Sequence, residues 1–123
     1  MARNYKNIIA WQRSHEFTLV VYEITAKFPD TERFGLTSQM RRAAVSVPAN
    51  IAEGASRDSH VDYLRFLTIA LGSLNEVEYF LYLSKDLGYL SEERYSQAFE
   101  QIRGVFAALH GLIKAVKNDK PVS

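Results

Sequence analysis

The stretch RRAAVSVPANIAEG, Arg41 to Gly54, decides how this chain folds. Its apolar residues Ala43, Ala44, Val47 and Ile51 recur at three- and four-residue steps, the spacing of one helix face. Pro48 interrupts the run. A proline inside a helix lacks the amide hydrogen and presses its ring on the carbonyl four residues back, at a cost near ~3 kcal/mol if nothing compensates. Here that carbonyl belongs to Ala44, and Val47, just before the proline, is biased away from helical angles. Two structures follow: one continuous helix kinked near Pro48, or a break with a new turn starting there. The apolar stripe keeps its register from Val47 to Ile51, which predicts the kinked helix.

Outward from this segment the same period recurs. Leu36 and Met40 extend the stripe upstream, giving a second helix over roughly 37–54 with Gly54 as its C-terminal cap. Before it, Ala10, Phe17, Val21, Ile24 and Phe28, with Ser14 in the gap, predict a first helix over roughly 8–28. Trp11, Leu19, Tyr22 and Ala26 lie on an adjoining face, so its apolar arc is wider than one core seam needs. Pro29 and Gly35 stop it.

After Gly54, Ser59 with Asp62 three positions on marks a helix start. Leu64, Leu67, Leu71, Leu74 and Leu81, flanked by Phe66, Ala70, Val77 and Phe80, carry a third helix over roughly 60–87. Ser91 caps a fourth over roughly 92–117, with Glu92 and Glu93 where the helix dipole favours anions and Lys114 and Lys117 where it favours cations. Its apolar positions are Tyr95, Phe99, Ile102, Phe106, Leu109, Ile113 and Val116. The tail from Asn118 to Ser123 is expected to fray. No segment alternates as a strand does. Four helices with short connections predict one all-α domain over 1–123, an up-and-down antiparallel four-helix bundle with its second helix kinked.

Composition narrows function. Of 123 residues, 47% are hydrophobic and 24% charged, the balance of a folded globular chain. The formal charge is +1, from 15 Lys and Arg against 14 Asp and Glu, so no basic excess points to nucleic acid. Cysteine is absent, which excludes disulfides, thiolate metal sites and thiol nucleophiles. The N-terminus has no signal-peptide core, and no apolar run approaches the ~20 residues of a membrane span. These features predict a cytoplasmic protein with no membrane association.

A four-helix bundle can house a di-iron centre built on Glu-x-x-His pairs. The residues three before His15, His60 and His110 are Gln12, Arg57 and Ala107, so the pattern fails. The glycines are isolated, with no phosphate-cradling loop, and no serine sits in a nucleophile elbow. The sequence therefore predicts no enzyme, no cofactor, no metal and no small-molecule substrate.

Opposite its apolar stripe the second helix presents Gln39, Arg42, Ser46, Asn50 and Glu53, with Arg57 one turn beyond. This ridge is either a solvated face with an Arg57–Glu53 pair of small value, or a surface that meets another subunit or a ligand. Arg41, Arg42, Arg57 and Arg65 would make a basic patch if they converged at one end of the bundle, with Lys6 and Arg13 close by.

FGLTSQMRRAAVSVPANIAEGASR, followed by YLRFLTIALGSLNEVEYFLYLSKDLGYL, resembles the four-helix bundle protein family, also called the 23S ribosomal RNA intervening-sequence protein family. WQRSHEFTLVVYEITAKFP is similar to its first helix. The resemblance runs from Trp11 to Leu90 and implies an antiparallel bundle that assembles into a homopentameric ring. More distantly, the family is similar to the accessory variability determinant of diversity-generating retroelements, a basic pentamer that binds nucleic acid. The resulting expectation is a non-enzymatic, homo-oligomeric, pentameric scaffold or adaptor whose partner is itself. The alternative is an RNA- or DNA-binding protein that displays basic residues on the oligomer. Under either, the candidate contacts are Arg41, Arg42, Ser46, Asn50, Glu53, Arg57 and Arg65.

Overall fold

A computed structural model describes residues 3–119. Four helices account for most of them: α1 (Ile9–Thr25), α2 (Leu36–Ala55), α3 (His60–Asp86) and α4 (Glu92–Asn118). Short 3-10 turns at Tyr5–Asn7 and Asp30–Glu32 precede α1 and α2, and no strand occurs among the described residues. The tail expected to fray lies outside them from Lys120 onward.

Short connections force each helix to run back along its predecessor, and the packing has α1 against α2 and α4, and α3 against the same two. The diagonal pairs do not meet, so the four helices stand at the corners of a square. The chain is an all-α, up-and-down four-helix bundle.

The helix ends are built by local chemistry. Ser59 and Ser91 accept from the amides of Asp62 and Arg94, both at 3.1 Å, capping α3 and α4. At the end of α3, Gly88 takes φ +80, and Tyr89 N–H reaches the Ser84 carbonyl at 2.9 Å. That six-to-one closure needs a left-handed residue, which glycine supplies without a Cβ penalty. α1 ends at Thr25, short of the expected Phe28. Lys27 and Phe28 instead donate three residues back, to Ile24 and Thr25, because Phe28 precedes a proline and is turned from helical angles.

Gly54 is not the cap of α2. It is buried in the last turn, where an added Cβ would stand 2.9 Å from Phe66 Cβ and 3.0 Å from Tyr63 Cδ1. Its role is to let α2 and α3 approach.

α2 passes through Pro48 as one helix rather than restarting there. The freed Ala44 carbonyl is not left orphaned. Thr18 of α1, itself buried, turns its hydroxyl to within 3.1 Å of it. A neighbouring helix thus supplies a donor, shared with the Ser14 carbonyl at 2.8 Å, in place of the one the proline removed.

The core seam follows three-four spacing on every helix. Phe17, Val21 and Ile24 of α1 meet Met40, Val47 and Ile51 of α2. Tyr63, Leu67, Ala70, Leu74, Val77 and Leu81 of α3 meet Ala98, Ile102, Val105 and Leu109 of α4. Each large side chain contributes about 1.5–3 kcal/mol on burial. Two details differ from the pattern read off the sequence. Leu64 and Leu71, and likewise Tyr95, Phe106 and Ile113, flank the seam half-buried, and Phe99 is half-buried too. Small Ala70 and Ala98 are themselves fully buried members of the seam.

The polar members of the seam satisfy themselves. Thr25 and Ser84 each donate to the carbonyl four residues back, at 2.7 Å. Ser14 donates to Trp11, at 3.0 Å. Of the buried hydroxyls among the described residues, Thr37 Oγ1 is without a hydrogen-bond partner.

Candidate functional site

The polar ridge of α2 is engaged mainly within the chain. Ser46 Oγ lies 2.8 Å from Ser73 Oγ of α3, and Asn50 Nδ2 donates to the Ser46 carbonyl and hydroxyl at 2.8 and 2.9 Å. Glu53 and Arg57 form an ion pair one helical turn apart. Ser46 and Asn50 are therefore positioned by α3, and Ser73 is the partner that the sequence pattern did not reveal.

The four arginines do not converge. Sixteen residues separate Arg41 from Arg57, roughly 24 Å along a helix axis. Arg41 folds back on α1: its Nε donates to Thr25 Oγ1 at 2.8 Å and its guanidinium lies 4.5 Å from the centre of the Tyr22 ring. Arg57 and Arg65 flank the Phe66 ring from 4.8 and 5.0 Å at the far end, and Arg65 also approaches Asp62 at 3.7 Å. Arg42 alone of the four is exposed and without an ion pair among the described residues.

At that far end Arg3 closes α2, donating to the carbonyls of Ala55 and Arg57 at 3.2 and 3.0 Å. It lies over the Tyr63 ring at 4.6 Å. Burial pushes the Tyr63 phenol above its ordinary value, and the Arg3 charge pulls the other way. Lys6 and Arg13 are exposed at the start of the chain, and Arg13 reaches the Gly104 carbonyl at 3.4 Å.

The opposite end carries the features that the periodic reading passed over. A groove of about 620 Å³ runs between α1 and the first turns of α2, lined by Tyr22, Arg33, Phe34, Thr37, Ser38, Arg41, Arg42, Val45 and Ser46. Three of those nine residues are arginines and none is acidic. Phe34, in the connection, is 88% exposed, with the Arg33 guanidinium 5.4 Å from its ring centre. The signal was in ERFG: an aromatic residue in a polar connection, without a helical partner.

Beside the groove, Glu32 ties the two connections of this end together. It accepts from the Leu36 amide at 3.2 Å and from the Tyr89 hydroxyl at 2.9 Å. That hydrogen bond, with burial and the carboxylate charge behind it, raises the Tyr89 phenol above its ordinary 10.0.

Among the described residues no cluster of His, Asp and Glu could hold a metal ion. His15 stacks on Trp11 with ring centres 5.0 Å apart, and His110 on Phe106 at 6.2 Å. His60 Nε2 meets Asp119 Oδ2 at 3.2 Å. No helix among the described residues is long and apolar enough to cross a membrane.

An antiparallel bundle with a wide surface and a small polar network defines a class, the helical-bundle proteins. Residues 6–111 match the model of the 23S rRNA-intervening sequence protein family, and the chain belongs to that family. A protein of unknown function from the S23 ribosomal protein family of Bacteroides thetaiotaomicron is similar in structure, with a TM-score of 0.79. The two share 27% identity, over 86% of this chain and 96% of that one. No curated protein matches.

Proposed function

We propose that this protein is a non-enzymatic cytoplasmic scaffold or adaptor that works as a homo-oligomer, pentameric as the family resemblance implies. The observation that carries the reading is where its exposed apolar side chains lie. α1 leaves Ile9, Leu19 and Tyr22 in water, and α3 leaves Val61, Ile69, Tyr79 and Tyr82. These helices stand at opposite corners of the square. A head-to-tail contact, α1 of one copy against α3 of the next, covers both faces at once and makes a ring when the rotation between copies closes.

The test is the mass in solution. Five chains of 14.0 kDa give a particle of about 70 kDa. Replacing Leu19 and Ile69 together by Glu should lower the mass without reducing helicity. A 14.0 kDa species at micromolar concentration would sink the proposal.

The alternative, binding of RNA or DNA by basic residues displayed on the oligomer, has weaker support from the expected residues. Arg41, Arg57 and Arg65 are engaged with their own chain. Its support is the groove with three arginines and no acid.

A further inference from the structure

We infer that the groove between α1 and the first turns of α2 is a nucleotide site, with the phosphate held at Arg33, Arg42 and the start of α2 and the base stacked on Phe34. The inference rests on the nucleic-acid alternative, and Tyr22, which lines the groove, also stands on the α1 face that the proposed oligomer covers.

Charge is the first ground. On a chain of net charge +1, nine lining residues include Arg33, Arg41 and Arg42 and no carboxylate. Arg57, Arg65 and Arg94 have acidic partners, whereas Arg33 and Arg42 have none among the described residues. Arg41 is held by Thr25 and contributes field rather than a free donor. Glu76 of α3 lines the adjoining hollow with Phe34 and Arg42, and three arginines against that one carboxylate leave a positive balance that favours an anion.

The second ground is unpaired hydrogen-bonding capacity. Thr37 lines the groove, is only 8% exposed, and its hydroxyl has no partner. The amides of Thr37 and Ser38 lie in the first turn of α2, where no intrahelical acceptor exists. The Glu32 carboxylate already takes the Leu36 amide at the start of α2 and leaves the Thr37 and Ser38 amides without it. These two amides and the guanidinium groups of Arg33 and Arg42 suit a phosphate.

The third ground separates a nucleotide from a bare anion. Phe34 is almost wholly exposed at the mouth, beside the free Arg33. A carboxylate or inorganic phosphate makes no use of a phenyl face; a base stacks on it. The groove's volume of about 620 Å³ accommodates one nucleotide. The ligand is therefore a nucleotide unit, either free or within a single strand.

The probe is a short labelled oligouridine followed by fluorescence anisotropy, with UMP and unlabelled strand as competitors. Binding should be measurable at about 50 mM salt and weaken toward 200 mM with a log–log slope of about −1.4, as two phosphates neutralised by Arg33 and Arg42 on a single strand require. Arg33→Ala with Arg42→Ala should weaken binding at least ~10-fold and bring the slope toward about zero. Phe34→Ala should weaken it about 5- to 100-fold at unchanged slope, because stacking releases no counterions. All three residues are exposed, so thermal melts should match wild type. Displacement by UMP identifies the free nucleotide as sufficient, and displacement by unlabelled strand alone identifies the strand; both support the site. Binding that ignores the double arginine substitution overturns the site while leaving nucleic-acid binding intact. No binding at low salt overturns both. A fall in particle mass on Phe34→Ala makes Phe34 a subunit contact and overturns the stacking role.

Discussion

The repair of Pro48 from a neighbouring helix can be measured. Thr18 Oγ1 lies 2.8 Å from the Ser14 carbonyl and 3.1 Å from that of Ala44. Ser14 is already the regular helical acceptor for the Thr18 amide, so only Ala44 depends on the hydroxyl. Thr18→Val keeps the shape and removes the donor, leaving a buried carbonyl unsatisfied at a cost of about 1–3 kcal/mol. At this chain length that lowers the melting temperature by about 4 °C per kcal/mol. Pro48→Ala restores an amide four residues from Ala44, so in that background Thr18→Val should cost about 0.5 kcal/mol or less. Pro48 is buried, and the loss of its ring has a cost of its own, which cancels in the double-mutant cycle. The assay is urea denaturation of the four variants at one fixed protomer concentration, since assembly shifts apparent stability. A coupling of about 1 kcal/mol or more is expected. Equal costs of Thr18→Val in the two backgrounds would refute the reasoning.

The remaining predictions concern packing and pH. Gly54→Ala brings a methyl to 2.9 Å from Phe66 Cβ, and the overpacking of about 1–3 kcal/mol should exceed the helix-propensity gain of about 0.5–1 kcal/mol. Gly111→Ala meets nothing within 4 Å and should stabilise by that propensity gain, as denaturation midpoints will show. Because the Tyr89 phenol is raised above 10.0 in the fold, the unfolded chain loses this proton first as pH rises. Its contribution is therefore complete below pH 10.0 and is lost as pH climbs through the folded value. Wild type and Tyr89→Phe should differ in midpoint well below pH 10.0 and draw together above it; a gap that does not change with pH contradicts the Glu32 bond.

The sequence by itself determined the four helices, much of the seam on α1 and α2, and the serine caps before α3 and α4. All of these depend on residues three or four apart, and that spacing is fixed once the chain is helical. The register of Val47 and Ile51 across Pro48 was enough to reject a break. Other features were decided only when helices met. Thr18 reaches Ala44 because α1 lies against α2 at that level, which no spacing within either helix encodes. Ser46, read as part of a ridge either solvated or meeting a subunit or ligand, bonds to Ser73 because α3 covers that flank, and Asn50 bonds back to Ser46. Gly54 looked like a cap and is a point of close approach for the same reason. Arg41 and Arg42 are adjacent in sequence, yet one is drawn onto α1 and the other left in solvent. Arg33, Phe34 and Thr37 gathered into a groove with Tyr22 only through the rotation of α2 against α1, a property of the packed pair that neither helix sequence specifies alone.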